Sequence, residues 1–165
     1  MARFVFFSFH YHADNWRAAQ VRNAGVVDGN APVSDNDWEQ ITRGGDAAIQ
    51  RWIDGQLSGK SCAVVLIGSA TAGRKWIKHE IEKAWNDGKG VLGVYIHNLK
   101  DQTGQQSSRG QNPFDDFTMK RDNAKLSSIV KVYDPPSMTS TFVYDYIKQN
   151  LPGWVEEAIR IRNNY

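Results

Sequence analysis

The run SCAVVLIG, Ser61–Gly68, carries six apolar residues in a row between a serine and a glycine. A strand with one wet face alternates apolar and polar residues, whereas a strand covered on both faces does not. The run is far too short to cross a bilayer. It predicts the central strand of a parallel sheet with helices packed on both sides. Cys62, the only cysteine, lies inside it, so an internal disulfide is excluded and the thiol reads as a small core residue.

The rest of the chain supplies strands and helices in alternation. Arg3–Phe9 (RFVFFSF) is β-rich. Asp14–Asn23 has loose helical spacing, with Asp14 as a plausible N-cap. The segment GVVDGNAPVSDND is turn-rich, and Val26–Val27 fits a short second strand. Ile49, Trp52, Ile53 and Leu57 place one apolar face on a helix over Asp46–Leu57. A further helix is expected over Gly73–Trp85, a buried strand over Val91–Asn98, and a last strand over Ser128–Asp134, stopped by Pro135–Pro136. Thr139 or Ser140 caps a helix running to Asn150, and a second terminal helix is expected from Leu151. Leu99–Asn123 is long and polar, a length usual for functional or mobile loops.

Strands alternating with helices imply right-handed crossovers and an α/β class. With about five strands, the expectation is one domain over 1–165, a flavodoxin-like three-layer sandwich with a mostly parallel sheet. At 165 residues the chain is large enough for a real core. Ligands in such sheets bind beyond the carboxyl ends of the strands. That edge holds Ser8–His12, Gly68–Lys75 and the start of the long loop.

Several familiar patterns do not apply. GKGVLG (Gly88–Gly93) has the letters of a dinucleotide fingerprint but precedes a strand instead of following one. Gly88 and Gly90 are read as helix-capping and turning residues. His10-Tyr11-His12 lacks the Cys/His companions of a metal site, so no metal and no cofactor are expected. Ser69 is not on a nucleophile elbow and reads as part of a polar turn. A net charge of +2, without basic and aromatic residues alternating along any stretch, gives no reason to expect nucleic acid. No apolar run suggests a membrane, and MARFVFFSF reads as a strand instead of a signal peptide, so the expected location is the cytoplasm.

Two glutamates on the Gly73–Trp85 helix differ in placement. On a wheel, Ile77, Ile81 and Ala84 mark the core face, with Trp85 at its margin. Glu82 falls opposite, in solvent. Glu80 falls between Trp76 and the core face. Two readings stay open there: a boundary glutamate paired with a lysine, or a partly desolvated carboxylate within reach of a ligand.

Three blocks in order, FVFFSFHYHADNWRAAQVRN, AVVLIGSATAGRKWIKHEIEKAW and GVLGVYIHNLKD, resemble the TIR-like family of the Thoeris antiphage systems of bacteria, over Phe4 to about Phe114. Ser8, Phe9 and Asp14 correspond to that family's first-strand box. Ser69, Trp76 and Glu80 correspond to its S-x-x-(x)-W-x-x-x-E element. The connections before the helix at Ala47 and after the central strand differ in length from animal TIR domains. The resemblance implies an enzyme that consumes NAD, releases nicotinamide and makes a cyclised ADP-ribose signal for a separate effector protein. It implies Glu80 as the catalytic glutamate and Phe9 as the aromatic beside the nucleotide.

In that setting Phe9 and Trp76 offer flat walls, and Arg17, Arg22 and Arg74 are candidates for the pyrophosphate, with Arg74 best placed at a helix start. His10 is expected inside the site and His12 at its mouth or in solvent. Ser8 and Asp14 are read either as part of the site or as residues that only shape the turn and cap the next helix. Trp38 and Trp52 are expected to pack or to serve an interface, possible self-association included. Two alternatives stand beside the enzyme: a non-catalytic TIR-like interaction module, and an enzyme cleaving nucleoside or nucleotide N-glycosides.

Overall fold

The computed structural model describes residues 3–30 and 35–165, with side chains from residue 37 onward in the second stretch. The elements are β1 (Val5–Ser8), α1 (Tyr11–Asn23), α2 (Asp35–Arg43), α3 (Asp46–Leu57), β2 (Cys62–Ile67), α4 (Lys75–Asn86), β3 (Gly90–Tyr95), β4 (Val132–Tyr133) and α5 (Ser140–Asn163). Short 3-10 turns occupy Pro113–Asp116 and Leu126–Ser128.

All six residues of β2 are buried, as the apolar run requires. The four strands pair in parallel in the order β1-β2-β3-β4, with Val5 opposite Cys62 and Ile67 opposite Tyr95. Alternate side chains then feed two cores. Cys62, Val64 and Leu66 join Ala18 and Val21 of α1 and Val143, Ile147 and Val155 of α5. Ala63, Val65 and Ile67 join Ile49 and Ile53 of α3 and Ile77, Ile81 and Ala84 of α4. This is the expected three-layer, flavodoxin-like arrangement. Among the described residues no helix is long and apolar enough to cross a membrane.

The second strand expected at Val26–Val27 is reduced to one parallel bridge between Asp28 and Phe4. The Val5 N–H donates to the Asp28 carbonyl at 2.8 Å, and the Asn30 side-chain oxygen accepts from the Phe7 N–H at 2.9 Å. A side chain thus continues the ladder where a backbone would. Among the described residues the sheet has four strands, with this bridge in the place of a fifth.

Other boundaries also move. The cap of α1 is His10, not Asp14: His10 Nδ1 accepts from the Ala13 N–H at 3.3 Å, and Asp14 lies buried in the first turn. The turn-rich stretch before Gly44 ends in helix α2. β4 keeps only two of the seven residues expected over Ser128–Asp134, because Leu126–Ser128 turns to bury Leu126 and Val130 in the core. Gly88 does turn the chain, with φ +77°. Gly90 instead begins β3 beneath α5, where a Cβ would stand 2.8 Å from the Ile159 nitrogen.

The two terminal helices are one. α5 runs unbroken through Pro152. A mid-helix proline removes one hydrogen bond and costs roughly 3 kcal/mol. Val143, Ile147, Leu151, Val155 and Ala158 are all buried and continue one face across it. At about 1.5–3 kcal/mol for each fully buried aliphatic side chain, that face outweighs the proline. Pro152 itself is exposed. Pro152→Ala is therefore expected to stabilise the fold by about 1–2 kcal/mol, read as a raised urea midpoint with unchanged m-value.

Candidate active site

β1 and β2 end side by side at Ser8 and Ile67. The helices that follow them, α1 and α4, start from the caps His10 and Arg74. A cavity of about 350 Å³ opens at this edge. Phe9, His10, Tyr11 and His12 line it from the β1–α1 connection, and Arg74, Lys75, Trp76, Ile77 and Glu80 from α4. Trp38 and Thr42 of α2 and Ile53 of α3 complete the wall.

Glu80 is 7% exposed and no cation among the described residues pairs with it, which removes the reading of a lysine-paired boundary residue. Burial pushes its carboxyl up to about 8, and the neighbouring Ser8 hydroxyl opposes that shift. Ser8 Oγ is itself buried and makes no hydrogen bond of ordinary geometry. The hydroxyl therefore offsets little of the desolvation. Glu82, as expected, is exposed.

Trp76 is half-buried beside Glu80. The Lys75 ammonium lies 5.0 Å from its ring centroid, and His79 meets it edge-on at 5.8 Å. His79 Nε2 lies 3.0 Å from Asp54 Oδ1, and Lys75 pairs with Asp46, so both contacts tie α4 to α3. His10 contacts Arg74 through Nε2. Burial, followed by the charge of Arg74, lowers the His10 pKa. The neutral imidazole is thus favoured, with Nδ1 as the acceptor for the Ala13 N–H.

Of the residues singled out in the sequence, Phe9, His10, Arg74, Trp76 and Glu80 meet at the cavity, with Ser8 behind Glu80. Asp14, Arg17 and Ser69 do not line it. Arg17 is 4% exposed and fully engaged: Nε donates to the Leu99 carbonyl at 2.7 Å, Nη2 to the Gln105 carbonyl at 2.9 Å, and Nη1 to Asp14 Oδ1 at 3.0 Å. It fastens the long loop to α1 and has no donor to spare for a pyrophosphate. Asp14 shares that pair, yet its carboxyl is raised, because burial outweighs Arg17. A Cβ on Gly68 would stand 2.1 Å from Asp14 Oδ2. Ser69 is exposed in the turn that follows. Arg22 sits in the last turn of α1, at the far end of the sheet from the cavity.

Tyr11 and Lys75 fall within the segments expected at this edge, without a role of their own, whereas Trp38 and Thr42 come from α2, outside them. The sequence assigns Trp38 to packing or an interface instead of a ligand site. It lines the site because α2 brings it there, stacked on Tyr11 with ring centroids 5.4 Å apart. The usable signal was WEQIT followed by Gly44-Gly45: Trp38, Ile41 and Thr42 share a helical face ahead of a double-glycine stop. Trp52 packs edge-on against Trp38 at 5.8 Å, as a supporting residue.

A parallel α/β sandwich with a buried, unpaired glutamate one turn into the helix after its central strand is the arrangement of a TIR-like domain. Residues 6–101 match the family described as Thoeris protein ThsB, TIR-like domain. The chain belongs to that family. It is also 42% identical, over 120 residues, to a Bacillus cereus (strain MSX-D12) protein named "Putative cyclic ADP-D-ribose synthase ThsB1". The matched region covers 70% of this chain and 62% of that relative, so the chain spans less than two thirds of its length.

Burial of Glu80 has a pH signature. Its pKa is about 8 folded against an ordinary 4.5. Between those values the folded protein keeps a proton that the unfolded chain has lost. Stability from this group is therefore full below about pH 4.5 and falls as pH rises to about 8, by roughly 3–5 kcal/mol at most. Glu80→Gln keeps the neutral shape and escapes this loss. Its melting temperature should match wild type near pH 4.5 and exceed it by at least about 6 °C at pH 8, at roughly 2–4 °C per kcal/mol.

Proposed function

We propose that this chain cleaves the nicotinamide N-glycosidic bond of NAD and closes the remaining ADP-ribose into a cyclic product. The observation that carries this reading is Glu80, a carboxyl without a counter-ion in the wall of an aromatic cavity at the strand ends. The name of the B. cereus relative supports the choice of substrate and product.

The chemistry suits a sparse site. Nicotinamide in NAD is a pyridinium. When the C1′–N bond breaks, its electron pair goes to the ring nitrogen and neutralises it, so no strong acid is needed. The ribose becomes oxocarbenium-like, as in glycoside cleavage. A fixed carboxylate beside it stabilises that charge and orients the sugar hydroxyls. Glu80 takes this part once ionised. In the empty cavity it is largely protonated at neutral pH, and an incoming pyridinium favours its carboxylate form. Trp76 and Phe9 provide flat apolar faces. Arg74, at the start of α4, is the cavity's candidate for the pyrophosphate. NAD is the substrate, and no further cofactor is required. The cyclic product is then a diffusible signal to a separate effector protein in antiphage defence.

Purified protein incubated with NAD, with and without lysate of phage-infected cells, should release nicotinamide together with a cyclic nucleotide, both followed by mass spectrometry. Glu80→Ala should lose at least about 100-fold of the turnover, whereas Glu82→Ala should stay within twofold of wild type. A folded Glu80→Ala protein with full turnover overturns the assignment. The pH profile supplies a second check. Because the free enzyme must ionise Glu80, kcat/KM for NAD should rise about tenfold per unit below pH 8 and level off above it.

A further inference from the structure

Cyclisation demands more than bond cleavage. After nicotinamide leaves, C1′ of the ribose can be captured by water or by a nucleophile from the adenosine half. Water capture forms a C–O bond, releases a proton and gives linear ADP-ribose. Internal capture forms the new bond from an adenosine nitrogen or hydroxyl, with loss of a proton where that atom carried one, and gives the cyclic product. The two outcomes share the first step and differ only in what stands over C1′. A site that cyclises must hold the adenine end folded back and exclude water.

The cavity has two separate aromatic faces. Trp76 stands beside Glu80 on α4. Tyr11 and Trp38, which line the same cavity from α1 and α2, stack at 5.4 Å and 30°, and Phe9 continues the row from Tyr11 at 6.5 Å and 27°. Trp52 props the far side of Trp38 at 5.8 Å. At about 350 Å³ the cavity lies at the small end for ligand sites. NAD ends in two flat heterocycles. Trp76 next to the glutamate and a second stacked set of rings in the same cavity offer one flat face for each heterocycle of a substrate bent back on itself.

We infer that Tyr11 and Trp38 form the platform on which the adenine base stacks, and that Trp38 decides between cyclic and linear product. The inference rests on the NAD-cleaving reading and adds a role for α2 within it. Trp38 reaches the cavity from a helix outside the sheet, joined to α3 through Gly44–Gly45, with Gly45 at φ +82°. Among the described residues its ring partners are Tyr11 of α1 and Trp52 of α3, while Glu80 and Trp76 are held by α4. Removing it should therefore leave Glu80 and Trp76 in place while uncovering the base face to water.

The test measures nicotinamide release and the ratio of cyclic to linear ADP-ribose, separately, for wild type, Trp38→Ala and Trp38→Phe. Trp38→Ala should shift the ratio of cyclic to linear product at least tenfold toward linear product, a readout normalised to its own nicotinamide release at saturating NAD. Trp38→Phe, which keeps a flat ring, should restore most of the cyclic product. A binding arm needs no turnover. Titrated with AMP and with nicotinamide mononucleotide, Trp38→Ala should bind AMP about tenfold more weakly, the scale of one base–aromatic stack, with nicotinamide mononucleotide unchanged. An unchanged product ratio, or equal weakening of both mononucleotides, overturns the inference while NAD cleavage stands. Wild type that releases no nicotinamide under any condition, yet loses AMP binding on Trp38→Ala, sinks the enzymatic reading and leaves an adenine-binding platform.

Discussion

β2 buries every residue on both faces, and this constraint arranges the rest of the molecule. A strand with no wet face needs a helical layer on each side. Its even residues meet α1 and α5, and its odd residues meet α3 and α4. Parallel pairing makes each connecting helix run back from the carboxyl edge of the sheet. The starts of α1 and α4 are therefore brought together there, with their caps His10 and Arg74 in contact. One turn further along α4 sits Glu80. Its position follows from Ile77 and Ile81, which must enter the core; residue 80 then falls at the rim of that core, shielded from water but open to the cavity.

Arg17 settles how the long polar segment after β3 is held. A buried guanidinium demands acceptors, and this one takes them from Leu99, Gln105 and Asp14. Burying the pair has a cost, seen in the raised carboxyl of Asp14. The return is order in a connection with little secondary structure of its own. Gly110 carries the same loop down onto Gly68, where a Cβ would stand 2.1 Å from the Gly68 carbonyl oxygen. Two residues that resembled substrate contacts in the sequence thus work as the loop's anchor.

What was legible in the sequence follows the strength of local periodicity. The both-face burial of β2, the amphipathic faces of α3 and α4, and the separation of Glu80 from Glu82 were all readable from spacing. α2 was hidden because proline, glycine, serine and aspartate precede it, and the turn signal masked the short helical face of Trp38, Ile41 and Thr42. With α2 hidden, the contribution of Trp38 to the aromatic wall was hidden too. The proline in α5 misled in the opposite sense. Its local penalty is real, but helix continuation is decided by the apolar face it interrupts, and that face is longer than the interruption. Asp14 looked like a helix cap because caps are recognised by residue type. The imidazole of His10 does the capping four residues earlier, and no composition rule separates those two choices.

The glutamate itself sets stability against use. A carboxyl in this position opposes folding whenever it ionises, since neither a cation among the described residues nor a well-formed hydrogen bond from Ser8 relieves it. A sequence selected only for stability would carry glutamine or an aliphatic residue at position 80 at no loss to Ile77, Ile81 or Ala84. The aromatic residues around it do not lower that cost; they raise it by excluding water. A cationic ligand reverses the balance, because the same poor solvation that penalises the lone carboxylate strengthens its attraction to a positive ring or an oxocarbenium-like sugar. The instability of the empty site and the affinity of the occupied one are therefore two readings of one desolvated charge. On the proposed NAD-cleaving reading, the pH dependence of folding and that of turnover meet in the one carboxyl of Glu80.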